Sequence, residues 1–287
     1  MINSKIILGT AQFGMDYGIN NTNGKITKLS AFDILNYAFL NGIKELDTAS
    51  SYGDSEKVIG EYLNSYPKNR FIITTKISDI NVSLEKQVYN SIENLKIEKI
   101  DKLLFHSNDV YKCFEKEVKD FYQKFKGVLF DELGVSIYTN NEIENLINDP
   151  FINRIQSPFN ILDNYNKRGT YFEKLYVNGK KVDVRSVFLQ GIFFKNISDI
   201  QYNLSPLKKY LDFIRELSNE FNIDINSIAL GYLNSFDFID KIIFGVDSLE
   251  QLKKNLKCFS TKLPEELLIK INSIQINEID LLNPSKW

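Results

Sequence analysis

The sequence predicts an α/β fold, a single (β/α)8 TIM barrel over residues 1–287 with an additional C-terminal helix, on three observations. Short apolar strand segments alternate with helical patterns eight times, at a repeat of about 25–45 residues. Segments such as Phe71–Thr75 and Leu103–Phe105 are continuous apolar or β-branched runs, the pattern of strands covered on both faces. No long linker, low-complexity stretch or shift of composition divides the chain. A doubly wound open sheet is the structural alternative. Neither nucleotide fingerprint supports it: no Gly-x-Gly-x-x-Gly follows a strand, and no phosphate-loop Gly-Lys-Ser/Thr is present.

Taken in order, Lys5–Thr10 is the first strand, followed by a Gly- and Asn-rich loop through Gly24. Ser30 reads as the cap of a helix with Ile34, Leu35, Ala38 and Phe39 at helical spacing. The second strand ends at Asp47. Its loop carries Tyr52, and Asp54 or Ser55 caps the next helix, which runs to about Asn64. Arg70–Lys76 is a buried-type strand ending in a lysine, and Val82–Leu95 is an amphipathic helix. Ile100–His106 is a strand ending in the only histidine, and Tyr111–Lys124 is helical. The alternation continues through strands at Leu133–Ile137, Ile152–Gln156, Val182–Phe188 and Ile239–Gly245. Helices are read at Asn140–Ile147, Gly169–Val177, Leu207–Phe221 and Ser248–Cys258, with an additional one at Asn226–Asn234 and a terminal one at Glu265–Ile274.

Composition narrows the function. The chain is 43% hydrophobic and 25% charged, as in soluble globular proteins, and its net charge of −2 implies no nucleic-acid partner. No run approaches the roughly 18–20 apolar residues of a membrane span. The N-terminal Met1–Lys5 lacks the apolar core of a signal peptide. Cys113 and Cys258 stand far apart in no metal-type spacing, which fits free thiols and a cytoplasmic location. One histidine and no cysteine pair leave too few ligands for a zinc or iron site, so no metal is expected. No Gly-x-Ser-x-Gly elbow supports a serine hydrolase. Oligomeric state is not legible.

Chemistry gathers at strand ends. Asp47, Lys76 and His106 each close a strand, and Tyr52 lies one loop beyond Asp47. In a barrel these ends converge on one mouth. A tyrosine with a pKa of about 10 needs that value lowered to give up a proton near neutrality, and a nearby ammonium would lower it. Asp47 would pair with Lys76 and hold it in place. The bland alternatives are a solvated lysine and a histidine at the rim.

The ordered motifs resemble those of the aldo-keto reductases over essentially the whole length. They are Leu8-Gly9-Thr10-Ala11-Gln12-Phe13-Gly14, Leu46-Asp47-Thr48-Ala49-Ser50-Ser51-Tyr52-Gly53-Asp54-Ser55-Glu56, Thr75-Lys76 and Asp101-Lys102-Leu103-Leu104-Phe105-His106. Gly134-Val135-Ser136, Gln156-Ser157-Pro158-Phe159-Asn160 and Ile243-Phe244-Gly245-Val246-Asp247-Ser248-Leu249-Glu250-Gln251 continue the set. The resemblance implies an NAD(P)H-dependent enzyme reducing an aldehyde or ketone. Tyr52 would be the general acid, tuned by Asp47 and Lys76, and His106 would orient the carbonyl. It implies NADPH, less often NADH, across the mouth. Gly9 and Thr10 would border the cofactor, and Ser136 and Gln156 would hold the carboxamide. Ser186, Phe188 and Gly191 would follow the pyrophosphate, and Asn255 would meet the adenine.

Three departures stand out. Where many relatives stack an aromatic ring on the nicotinamide, this chain has Arg185, which would either stack there itself or grip an anionic substrate. The usual Ser-Asn reads Ser136-Ile137. Around the cofactor's 2′-phosphate the usual basic residues are replaced by Gly245, Asp247 and Gln251, which weakens the expected NADPH preference, although Lys253 and Lys254 lie nearby. Arg185–Gly191 resembles a bacterial subgroup near surface-polysaccharide and nucleotide-sugar genes, so a sugar or sugar-nucleotide carbonyl is the expected substrate. Short segments at 160–182 and after Ile274 predict an open pocket. Two other readings stay in play: an aldose 1-dehydrogenase running the reverse reaction, and a cofactor-sensing subunit with little turnover.

Overall fold

The structure, a computed structural model, describes residues 2–21 and 24–287. Thr22 and Asn23 of the loop expected before Gly24, and Met1, lie outside the described residues. After a 3-10 turn at Ile2–Lys5 come β1 (Ile6–Gly9), the short α1 (Ala11–Gly14), α2 (Lys28–Leu40), β2 (Glu45–Asp47), α3 (Ser55–Ser65) and β3 (Ile72–Ile77). Next are α4 (Leu84–Leu95), β4 (Ile100–Phe105), α5 (Asn108–Phe125), β5 (Phe130–Ser136), α6 (Asn140–Leu146) and β6 (Arg154–Pro158). The chain ends with α7 (Tyr165–Val177), β7 (Lys181–Arg185), α8 (Lys208–Phe221), α9 (Ile225–Asn234), β8 (Lys241–Phe244), α10 (Leu249–Cys258) and α11 (Glu265–Asn272). The strands pair in parallel in chain order and close when β8 pairs with β1. This is the predicted (β/α)8 barrel, and α11 is its additional C-terminal helix.

Local chemistry explains the boundaries. Helices carry buried residues at helical spacing, as in α5 with Tyr111, Phe114, Val118, Phe121 and Phe125. Ser107 caps α5, Asp224 caps α9 and Ser248 caps α10, each side chain accepting from a backbone N–H of the first turn. Thr139 and Glu142 form a capping box on α6. The cap of α2 is Thr27 rather than Ser30: Thr27 is extended at φ −65 and ψ 153 and accepts from the Ser30 N–H at 3.2 Å. The seventh strand stops at Arg185, not Phe188, because Ser186 takes a left-handed φ of 60°. The sixth starts at Arg154, and β3 runs one residue past Lys76.

Strand side chains alternate between the helix layer and the barrel interior. Leu46, Ile73, Leu103, Val135, Ile155, Val184 and Phe244 are buried outward among the helices. The inward positions are polar at both ends. Asp47, Lys76, Ser136, Gln156 and Arg185 lie toward the C-terminal ends of the strands, and Glu45, Lys102, Glu132, Arg154 and Asp183 toward the other end. Among the described residues no helix is long and apolar enough to cross a membrane.

Candidate active site

The C-terminal ends of the strands open into a cleft of about 600 Å³, a volume suited to a cofactor or other small molecule. Asp47, in its lining, makes the pair expected from the sequence. The buried Lys76 ammonium donates to Asp47 Oδ2 at 2.6 Å and to the Thr48 carbonyl at 2.8 Å. Burial pulls the Lys76 pKa down, and the Asp47 charge opposes that. Gln156 Nε2 donates to the other Asp47 oxygen at 2.7 Å. Thr10 anchors the same strand end, its backbone N–H and hydroxyl both donating to the Asp47 carbonyl, at 3.0 and 2.9 Å.

Tyr52 stands over this pair. Lys76 Nζ lies 5.1 Å from its ring centroid, and the His106 ring meets it edge-on at 5.6 Å. The Tyr52 loop is set by backbone contact. Gly53 has φ +53, and a Cβ there would come within 2.3 Å of the Gly14 carbonyl; a Cβ on Gly14 would meet the Tyr52 carbonyl at 1.8 Å. The end of α1 and the Tyr52 loop dock so closely that side chains at either glycine are excluded.

The protonation states differ from the expectation for Tyr52. Its phenol is pushed up rather than down, by burial and by the Asp47 charge, with Arg185 opposing. Lys76, paired with Asp47 at 2.6 Å, does not bring it down. His106 is driven to about 3 by burial and by the charges of Lys76 and Arg185, so its ring is neutral over the working pH range. A protonated phenol and a neutral imidazole therefore line the cleft side by side. Two donors can meet a carbonyl oxygen there.

The other expected positions are spread along the same cleft. Gly9, Thr10, Ser136, Gln156, Arg185, Ser186, Phe188, Gly191, Gly245, Asp247, Gln251 and Asn255 all line it, with Asp47, Tyr52 and His106. Ser136 and Gln156 are register partners on adjacent strands. Ile137 is fully buried and gives only its carbonyl, at 3.3 Å from Arg185 Nη2. The Arg185 guanidinium lies over the Tyr138 ring, 4.3 Å from its centroid. Ser186 is fixed from behind, where Asn160 Nδ2 donates to its carbonyl at 3.0 Å. Asn255 accepts from Asn226 at 2.9 Å. Gln251 folds back, its Oε1 accepting from the Asp247 N–H at 2.8 Å.

Several lining residues escape the sequence reading. Gln12 sits inside a quoted motif, and Tyr138 is two residues past a strand end, so both carry a positional signal. Gln190 likewise lies inside the quoted Arg185–Gly191 segment, whereas Tyr17 and Asn226 come from a loop and a helix start with none. Pro284 and Ser285 reach the same cleft, so the C-terminal segment borders it rather than leaving it open. Of the two lysines near the 2′-phosphate position, Lys254 lines the cleft while Lys253 lies over the Tyr37 ring.

A nicotinamide dinucleotide fits this donor set. Gln156 Oε1 is buried without a hydrogen-bond partner, an acceptor available to an amide N–H. Asp247 Oδ1 is likewise buried and unpartnered at the other end, an acceptor available to a hydroxyl. Among the described residues no cluster of three His, Cys, Asp or Glu could hold a metal ion.

The Aldo/keto reductase family model matches residues 5–276. D-arabinose 1-dehydrogenase of Saccharomyces cerevisiae is 25% identical, covering 87% of this chain and 81% of that protein. The holo form of an aldo-keto reductase from Bacillus halodurans superposes with a TM-score of 0.73 at 18% identity, covering 96% of this chain and 94% of that one. A putative aldo-keto reductase from Pseudomonas aeruginosa gives a TM-score of 0.62 at 17% identity, with 89% of each chain covered.

Proposed function

The chain belongs to the aldo/keto reductase family of NAD(P)-dependent oxidoreductases, and from that premise we propose that it reduces the carbonyl of a sugar or nucleotide-linked sugar with Tyr52 as general acid. One observation carries the reading: Tyr52 and His106 line the cleft with their ring centroids 5.6 Å apart, and the Lys76 ammonium of the Lys76–Asp47 pair lies 5.1 Å from the Tyr52 ring. When bound, the nicotinamide supplies or accepts the hydride. Tyr52 gives its proton to the carbonyl oxygen as negative charge develops there. His106 holds that oxygen with an N–H, and Lys76 stabilises the phenolate left behind. Asp47 keeps Lys76 in place. Gln156 spans Asp47 and the carboxamide position, and Ser136 lies beside it.

The cofactor is NADH by preference. Asp247 offers an unpartnered oxygen to a free ribose 2′-OH and repels a 2′-phosphate, while Gln251 is turned back onto Asp247. Lys254 alone among the lysines lines the cleft, among the described residues. Titrating the protein with NADH and with NADPH, followed by nicotinamide fluorescence, tests this. A hundredfold tighter NADPH complex would end it.

The second reading is the reverse reaction, oxidation of an aldose at its anomeric carbon, and the likeness to yeast D-arabinose 1-dehydrogenase favours it. Following nicotinamide absorbance in both directions decides between the two. Nucleotide-linked keto-sugars should outperform simple aldehydes in the reductive direction. Faster oxidation of free aldoses at matched cofactor levels would make the dehydrogenase the better description.

A further inference from the structure

His106 is the only histidine in the chain, and its ring has one side-chain hydrogen-bond partner among the described residues: Ser51 Oγ, 3.0 Å from Nδ1. Ser51 is exposed, and an exposed serine ordinarily carries no role. This one is held. Its neighbours pin the loop across the end of β3, with the Thr48 N–H donating to the Thr74 carbonyl at 2.8 Å, and the Ser50 N–H and hydroxyl donating to the Lys76 carbonyl at 3.3 and 3.0 Å. The Tyr52 N–H closes the turn on the Ala49 carbonyl at 3.0 Å. On the other side, the His106 backbone N–H donates to the Ile77 carbonyl at 2.9 Å. Both partners of the Ser51–His106 contact are therefore fixed by backbone bonds to the same strand.

A neutral imidazole has one N–H and one bare nitrogen. A carbonyl oxygen only accepts, so the ring can assist it only if the nitrogen facing the cleft carries the hydrogen. The bare nitrogen is then Nδ1, and it needs a donor. A hydroxyl rotates to supply one, where an aliphatic side chain could not. We propose that Ser51 is a positioning residue: its hydroxyl donates to His106 Nδ1 and fixes the Nε2–H tautomer, so that Nε2 points a donor at the substrate oxygen. Ser51 immediately precedes Tyr52, so one turn of backbone orients the proton donor and the second donor together. The inference rests on the reading of His106 as a carbonyl ligand.

The single histidine makes the test direct. The full chain is labelled with 15N-histidine, and the one imidazole is observed in the free protein and with NADH bound. The expected spectrum has a proton on Nε2 and a hydrogen-bonded acceptor at Nδ1. Ser51→Ala should move the Nδ1 resonance downfield and lower kcat about 3- to 10-fold, the range for losing one hydrogen bond. The dissociation constant for NADH should stay unchanged, and Ser51→Thr should restore both signals. A proton on Nδ1 in the wild-type complex, or an unaltered kcat in Ser51→Ala, would overturn the proposal. If the wild-type protein binds NADH but turns over no carbonyl or sugar, the proposed reaction falls instead, and the nitrogen spectrum still decides the hydrogen bond.

Discussion

The barrel carries a set of buried charges at each end, and they are satisfied differently. At the lower end Arg154 is fully buried and shared by three carboxylates, with contacts of 2.7 Å to Glu132, 2.6 Å to Asp183 and 2.8 Å to Asp240. Glu45 is held by both Lys102 and Lys241. Lys181 adds a second cation to Glu132 at 2.8 Å. Charge meets charge around a closed ring of strands. At the upper end Lys76 and Asp47 also pair, but the groups next to them keep unused capacity. Gln156 Oε1 and Asp247 Oδ1 are buried acceptors with no donor, and Arg185 rests on an aromatic ring and a carbonyl instead of a carboxylate. A polar network whose members are nearly all paired holds a barrel shut. The lower network leaves one oxygen over, Asp183 Oδ2, sealed in the interior, whereas the unpaired acceptors at the upper end border the cleft and can meet something that arrives later.

Substitutions at the two ends should separate stability from chemistry. The largest effect is expected from Arg154→Leu, which strands Asp183 in the interior. Unfolding free energy in urea should fall by about 3–5 kcal/mol, with NADH affinity of the folded protein unchanged. A loss under about 1 kcal/mol would show that the lower network is not what holds the strands, breaking the comparison. Tyr52→Phe should do the opposite, cutting turnover about 10²-fold or more while the unfolding midpoint stays put. Asp247→Ala removes the charge that opposes a 2′-phosphate, and the ratio of NADPH to NADH affinity should rise about tenfold in a fluorescence titration.

The smallest effect is a pH dependence. Burial opposes ionisation of Glu132, but hydrogen bonds from Arg154 and Lys181 outweigh it and hold its carboxyl at about 2, against 4.5 unperturbed. A carboxyl lowered on folding contributes stability that is complete above about pH 4.5 and is lost as pH falls through about 2. Thermal unfolding of the wild type across that window should slope downward with acid, and Glu132→Gln should flatten the slope. An equal slope in both proteins would place the acid sensitivity elsewhere.

The upper end was far more legible in the sequence than the lower. Asp47, Lys76 and His106 stand at or one residue from strand ends, and that position alone marks them. Glu45, Lys102, Glu132, Arg154 and Asp183 sit inside strands, where period-two alternation would have separated inward from outward positions. Read as continuous apolar runs, the strands hide the polar half of that alternation. The direction of the Tyr52 shift depends on its burial and on the nearness of the Asp47 charge, which are facts about the folded chain and not about residue order. Ser186 ended the seventh strand early through a backbone angle that no side chain announces. The C-terminal reach of Pro284 and Ser285 into the cleft is long-range packing, beyond any local pattern.

That reach has a practical side. Ser4 and Lys5 border a hollow under the barrel, beside the lower charge network, whereas Pro284 and Ser285 border the cleft on top. A purification handle or fluorescent fusion joined after Trp287 would be tethered at the mouth, where it can compete with ligands and distort every titration described above. The same handle joined ahead of Ser4 would hang beneath the molecule, the full height of the barrel away from the chemistry.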